Sequence, residues 1–247
     1  FVGVNSGSAA RLQEGRDEDL ALVFFVRMDN PRQILISRAS YELKAESPFD
    51  SPLASRFDEN DAFLVLDEAF IPWEDVLVYR DVPKAKRFYA DSGFFNRFNF
   101  QTTIRMAIKT EFMLGLLQKS LECNGTADFR GNQVMVGEIV AMRHLFWSIV
   151  TAMAHDPEPS LGGSVVPRLE YAAAARIYTN FAWDRIRQIY ERLLGGAPII
   201  NVSNYRDLLN PEVQPILERY LRGTGMPAKE RSKLYKLVWD AMYSEFA

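Results

Sequence analysis

A chain of 247 residues with 48% apolar and 25% charged side chains has globular composition, enough for one large core or two modest ones, which excludes disordered and fibrous classes. A formal net charge of −3 leaves no basic footprint for nucleic acid, and a single cysteine, Cys123, excludes an internal disulfide framework and fits a reducing, cytoplasmic compartment. No run approaches the roughly eighteen consecutive apolar residues of a membrane span, and no charged-then-apolar leader opens the chain.

Up to about Tyr79 the signals are those of strands. Short apolar runs at Leu20 to Val26, Ile34 to Ile36, Phe63 to Leu66 and Phe70 to Ile71 are separated by polar turn clusters at 14–18 and 29–32. Pro72 cannot donate to a ladder, so it marks a bend or an edge before a strand resumes at Val76 to Val78. From about Ala85 the period becomes helical. Ile104, Ala107, Ile108, Phe112, Gly115 and Leu116 recur at three- and four-residue steps and predict one apolar face on a long helix. A second helix is expected over 132–154, stopped by Asp156-Pro157-Glu158-Pro159 and Gly162-Gly163, and a third over 168–194, ended by Gly195-Gly196. Pro211 is placed to start another helix, and Ala228 to Phe246 forms the last. The reading is α+β: a β domain over 1–82 and an antiparallel helical bundle over 83–247. Phe1 lies inside an expected strand and Ala247 inside an uncapped amphipathic helix, so the chain is expected to be a piece of a longer protein.

Side chains able to do chemistry are few. His144 and His155, eleven residues apart on one predicted helix, are three turns from each other and cannot share an ion. There is no G-x-S-x-G elbow, and Gly3, Gly7 and Gly15 have neither dinucleotide nor Walker spacing. The acid pairs Asp58-Glu59 and Glu74-Asp75 read as turns or helix starts, and Cys123 as buried packing. One segment is different. Phe94, Phe95, Phe98 and Phe100 fall within seven residues, interleaved with Asn96, Arg97, Asn99 and Gln101 and followed by Arg105 and Lys109. That mixture suits a planar aromatic or flavin pocket, with apolar walls and a few fixed polar contacts. It equally suits a core-facing helix start with Arg97 and Arg105 reaching out to water.

The runs S-R-F-D-E-N-D-A (55–62), I-P-W-E-D-V-L-V-Y-R-D (71–81) and I-S-R-A-S-Y-E (36–42) resemble the oxygenase component family of 4-hydroxyphenylacetate 3-monooxygenase. The resemblance continues through K-S-L-E-C-N-G-T (119–126), F-R-G (129–131), R-D-L-L-N-P (206–211) and W-D-A-M-Y-S-E-F (239–246), in the same order and spacing. It implies an acyl-CoA dehydrogenase-like architecture: an N-terminal helical domain absent here, a central β-barrel domain (1–82, incomplete at its start), and a C-terminal antiparallel four-helix bundle (83–247, truncated at its end). It also implies assembly as a homotetramer.

The chemistry implied by the resemblance is hydroxylation of a phenol ortho to its hydroxyl through a flavin C4a-hydroperoxide. The FAD arrives as FADH2 from a separate flavin reductase, and the protein supplies binding and exclusion of water. By position, Gly7, Ser8 and Ala9 match a loop over the substrate. Arg97 and Phe98 fall at substrate-pocket positions, Phe100 is a further pocket wall, and Gln101 and Arg105 lie near the flavin site or a subunit contact. Some chlorophenol-oxidising relatives carry a histidine where this chain has Phe100. Ala10 replaces a bulkier amide and Arg97 an apolar residue of the 4-hydroxyphenylacetate enzymes, which points to a larger or anionic substrate. The substrate implied is either 4-hydroxyphenylacetate-like or a tyrosine-derived phenol tethered to a carrier protein. The other readings are a radical dehydratase of the same fold, for which Cys123 alone offers no iron-sulfur ligand set, and a non-catalytic assembly module.

Overall fold

The computed structural model describes residues 1–5 and 9–244. The chain divides into two compact units, one of residues 1–38, 60–98 and 157–169, the other of 39–59, 99–156 and 170–247.

The first unit is built on β1 (Val2–Asn5), β2 (Leu22–Val26) and β5 (Val76–Tyr79), an antiparallel sheet in the order β1-β2-β5. Strict alternation along β2 would bury Val23 and Phe25 on one face, yet Val23 and Val26 are the buried pair. The register against β5 shifts between Val23 and Phe24, and that irregularity changes which residue faces inward. Val23 and Val78 then pack with Leu12, Ala21, Val82 and Ala85. The last two belong to α3 (Val82–Asp91), whose first turn holds Pro83 and is capped by Asp81 accepting the Lys84 N–H. A second antiparallel pair, β3 (Gln33–Ser37) with β4 (Ala62–Leu66), leaves Ile34, Leu35, Ile36 and Phe63 exposed.

The apolar pair Phe70 to Ile71 is not a strand. Glu68 takes φ +54°, the Asn30 amide donates to the Phe70 carbonyl, and Pro72 has no N–H, so no ladder forms here. A 3-10 turn, Trp73–Asp75, leads into β5 instead. A short hairpin, β6 (Glu158–Pro159) with β7 (Val165–Val166), turns at Gly162 and Gly163, both at positive φ.

In the second unit, α4 (Phe94–Asn124), α5 (Arg130–His155), α6 (Leu169–Leu194) and α8 (Ala228–Met242) contribute to one core. Met113, Leu117 and Leu121 meet Ile139, Phe146, Ile186, Ile189, Tyr190 and Tyr235 there. Buried hydroxyls on α4 are satisfied locally: Thr103, Thr110 and Ser120 each donate to the carbonyl four residues back. The expected apolar face of α4 is corrected. Ala107 and Leu116 are buried, but Ile108 and Phe112 are exposed, because apolar residues run around most of the circumference and periodicity does not single out the core side.

Helix α5 has the length and hydropathy of a membrane-crossing segment. It nevertheless carries Glu138 and Arg143, paired with Arg185 and Glu111, and places Ile139 and Phe146 in the core. The first units of sequence after β3 also belong with the helices. Residues 39–59 hold α1 (Tyr41–Lys44) and α2 (Ala54–Phe57), and the buried Asp240 carboxylate of α8 accepts the Leu53 and Ala54 N–H groups at 2.7 and 2.8 Å.

Two helix limits differ from expectation. Pro211 lies in a turn, and α7 (Gln214–Tyr220) starts three residues later with Pro215 in its first turn. Helix α8 stops at Met242, where Tyr243 leaves helical geometry, so it does not run to Phe246, which lies outside the described residues.

Candidate functional site

In the first unit the site residues depend on the break between α3 and α4. Ser92 ends the first helix and Gly93 turns the chain at φ +64°, where a Cβ would meet the Arg97 Nη1 at 2.6 Å and Val166 Cγ1 at 3.0 Å. Only glycine suits that position. Arg97 donates through Nη1 to the Ser92 carbonyl, so its guanidinium closes the end of α3 while staying exposed. Asn96 is buried and donates to Glu158 at 2.6 Å and to the Pro167 carbonyl at 2.8 Å, fixing the β6–β7 hairpin against the helix start. With Asn96 facing inward, the phenylalanines face out. Phe94 stacks on Phe98 with ring centroids 5.5 Å apart and planes at 12°. Tyr89 adds to the layer, 4.9 Å from Phe94 and 5.7 Å from Phe95. All three phenylalanines are more than 40% exposed, so this is an open aromatic layer.

In the second unit, Phe100 turns the other way and packs against Val150, Met153 and Ala172, inside a small core. Gln101 and Arg105 are exposed, one helical turn apart. One turn further, the half-buried Lys109 ammonium sits 4.0 Å from the centre of the Trp183 ring. Burial first, and the charge of Arg105 second, lower its pKa. A cleft of about 350 Å³ lies beside it, lined also by Met106, Thr179 and Asp184.

The remaining residues singled out by sequence fall elsewhere. Gly7 and Ser8 lie outside the described residues. Ala9 is buried in the core beside the sheet, where it opens the 3-10 turn Ala9–Arg11, and Ala10 is exposed. Cys123 is buried, as its apolar setting suggested, and burial raises its thiol pKa. Sequence reasoning missed Tyr89 and Trp183. Tyr89 belongs to a separate helix across the Gly93 break, and Trp183 meets Lys109 from a helix more than seventy residues away.

The chain matches two family profiles in tandem: 4-hydroxyphenylacetate 3-hydroxylase N terminal over residues 4–78, and 4-hydroxyphenylacetate 3-hydroxylase C terminal over 85–247. It is 52% identical over 239 residues to the pyoverdin chromophore biosynthetic protein PvcC of Pseudomonas aeruginosa, covering 97% of this chain and 48% of that protein. It is 42% identical over 235 residues to a Streptomyces globisporus monooxygenase named for a (3S)-3-amino-3-(3-chloro-4-hydroxyphenyl)propanoyl group on the peptidyl-carrier protein SgcC2, covering 94% of this chain and 45% of that protein. Among solved structures, the oxygenase component of 4-hydroxyphenylacetate 3-monooxygenase complexed with FAD and 4-hydroxyphenylacetate superimposes with a TM-score of 0.87 at 29% identity, over 93% of this chain and 48% of that one. The chain thus spans about half the length of the curated relatives it matches. With both profiles matched in order along nearly all of its length, the chain belongs to the 4-hydroxyphenylacetate 3-hydroxylase family.

Proposed function

We propose that the protein to which this chain belongs is an FADH2-dependent monooxygenase that hydroxylates a phenol ortho to its hydroxyl, with FADH2 supplied by a separate flavin reductase. The observation that carries the reading is the open Phe94–Phe98 stack with Tyr89, in a chain whose whole length aligns with aromatic hydroxylases. A stacked pair of rings on a helix start fixed by the buried Asn96 offers a flat, apolar face to a phenol. Arg97 spends one N–H on the Ser92 carbonyl and keeps others for an anionic group on the substrate. The loop residues Gly7, Ser8 and Ala9 remain assigned to the substrate side by resemblance, although Ala9 itself is buried.

The donors on α4 suit a flavin dinucleotide: Gln101 and Arg105 are exposed on consecutive turns, ready to donate to carbonyl and phosphate oxygens, and they are the residues proposed to hold it. When bound, reduced flavin supplies the two electrons that activate O2, one oxygen atom entering the ring and the other leaving as water. The protein needs no acid-base dyad for that chemistry.

Two substrate classes fit, a free 4-hydroxyphenylacetate-like acid and a tyrosine-derived phenol on a carrier protein. The Streptomyces relative favours giving the tethered form equal standing. The same reading supplies the finer architecture: a central β-barrel domain ending near residue 82, where the family profiles also part between 78 and 85, then an antiparallel four-helix bundle. Homotetramer assembly is supported by apolar side chains left exposed on the long helices, Ile108 and Phe112 on α4, Leu145 on α5 and Phe181 on α6. We also assign the protein to the cytoplasm, a reading that the single buried Cys123 supports only in that it fits a reducing compartment.

The test is hydroxylation of 4-hydroxyphenylacetate and of free and carrier-bound tyrosine analogues by the full-length protein with a flavin reductase, FAD and NADH. Catechol formation from any of them is expected; no turnover of any sinks the proposal.

A further inference from the structure

We infer that Glu158, on the β6–β7 hairpin, is a positioning residue for the phenol: acting through Asn96, it sets the direction in which the first turn of α4 presents the Phe94–Phe98 stack. The inference rests on the reading of that stack as the phenol wall, and all of its parts lie in the first unit. Glu158 lies 62 residues beyond Asn96 in the chain, so the hairpin takes a part in substrate selection that no local pattern around Phe94 discloses.

The stack cannot aim itself. Phe94 and Phe98 are four residues apart on one helix, with ring planes 12° from parallel, so their contact is local and is kept however the helix start is turned. Both are more than 40% exposed, so no core holds them against the rest of the unit. Asn96 supplies that hold. It lies midway between them and about 200° from each around the helix, so the buried side chain sits opposite the two open ones. Both protons of its amide have acceptors, Glu158 Oε1 at 2.6 Å and the Pro167 carbonyl at 2.8 Å.

Strand register fixes the acceptor in turn. Glu158 pairs directly with Val166 across the hairpin, so the two side chains share one face. That face meets the start of α4 at two points. Glu158 accepts from Asn96, and the buried Val166 lies so near Gly93 that a Cβ there would fall 3.0 Å from its Cγ1. The polar contact and the apolar one stand on either side of Phe94 and Phe95 in the chain, so together they fix the place and the rotation of the turn that carries the rings. A slip of one residue in the hairpin would turn both contacts away. Of the two, the Glu158 bond can be tuned by substitution: it is charge-assisted, and glutamine keeps an acceptor while removing the charge.

The experiment measures kcat and KM for whichever of the phenols named above the parent turns over, together with the Kd for FAD. The full-length protein is compared with Glu158→Ala, Glu158→Gln, Asn96→Ala and the double alanine variant. Glu158→Ala is expected to raise KM about fivefold, with kcat and the Kd for FAD within about twofold of the parent. Glu158→Gln should bring KM back to within about twofold, and the double variant should be no worse than Asn96→Ala alone. Glu158 is only half-buried, so its two variants decide the matter even if Asn96→Ala does not fold. A parent-like KM in Glu158→Ala, a glutamine variant as impaired as the alanine one, or equal rises in KM and in the Kd for FAD overturns the inference and leaves the hydroxylase reading standing. A parent that turns over no phenol overturns that reading, and the inference with it.

Discussion

The two units manage apolar surface in opposite ways. In the helical unit, Phe146, Ile186, Ile189 and Tyr235 are sealed from solvent, and buried hydroxyls on α4 find carbonyls on their own helix. In the sheet-bearing unit, the β3–β4 pair leaves Ile34, Leu35, Ile36 and Phe63 in solvent, and the start of α4 does the same with Phe94 and Phe98. The difference separates stability from recognition. Burial of apolar area stabilises a unit, whereas apolar side chains held in the open by buried neighbours such as Asn96 are available to a ligand or another surface. Substitutions should therefore lower stability in one region and binding in the other.

The largest effect is expected in the helical core. Phe146 is fully buried, 5.2 Å from the Tyr178 ring, and Phe146→Ala should cost about 3–5 kcal/mol in chemical denaturation through lost transfer energy and a residual cavity. Phe63→Ala, at 69% exposure, should cost less than about 0.5 kcal/mol. Equal losses would erase the contrast between the units.

Next comes the carboxylate that ties residues 39–59 to α8. Asp240 accepts two backbone N–H groups and the Ser244 hydroxyl, and Asp240→Ala strands both N–H groups at a buried position. A loss of about 2–3 kcal/mol is expected, with earlier proteolysis within residues 45–59. A change below about 0.5 kcal/mol would show that water satisfies those groups unaided.

These two predictions also show what could be read before the structure. Helices α5 and α6 lie within two residues of their expected limits, because Asp-Pro, Gly-Gly and a dense apolar period mark both. Strands β2, β4 and β5 were legible for the same reason, short β-rich runs between polar turns. Contacts far apart in sequence were not. Asp240 reaches back 186 residues to Ala54, and nothing local in S-P-F-D-S-P-L-A-S-R-F announces that partner. The runs that reveal the family, 55–62 and 71–81, turn out to form most of α2 with the loop into β4, and a 3-10 turn with strand β5, while the aromatic layer begins at Phe94. Within the site, the Phe-rich segment could be found by composition, but its two faces could not be separated. Asn96 and Phe100 point inward and Phe94 and Phe98 outward because of the Gly93 turn and of neighbours at 158 and 150.

On the recognition side, Phe98→Ala should change binding more than folding. Loss of the stacked partner of Phe94 is expected to raise KM for the phenol about tenfold, worth about 1.4 kcal/mol, with a thermal midpoint close to that of the parent. Phe100→Ala, removing a core contact, should do the reverse. If Phe98→Ala left KM untouched and lowered the midpoint instead, the aromatic layer would be packing surface rather than a substrate wall.

The smallest effect tests whether a charge pair on the helical unit adds to its core. Arg185 meets Glu138 through two hydrogen bonds, at 2.7 and 2.9 Å, and the bonds from Arg185 hold the Glu138 carboxyl below its ordinary range. Because the folded pKa is the lower one, the pair's contribution is complete above the unfolded value of about 4.3 and disappears as pH falls through the folded value. Both side chains are more than a third exposed, so solvent screening limits Glu138→Gln to less than about 1 kcal/mol at neutral pH and makes the loss shrink with added salt. The cost of the same substitution should shrink as pH falls through the folded value, where the parent carboxylate becomes protonated as well. A cost that shrank neither with falling pH nor in high salt would assign the effect to packing between α5 and α6, and the apolar core alone would account for the stability of the helical unit.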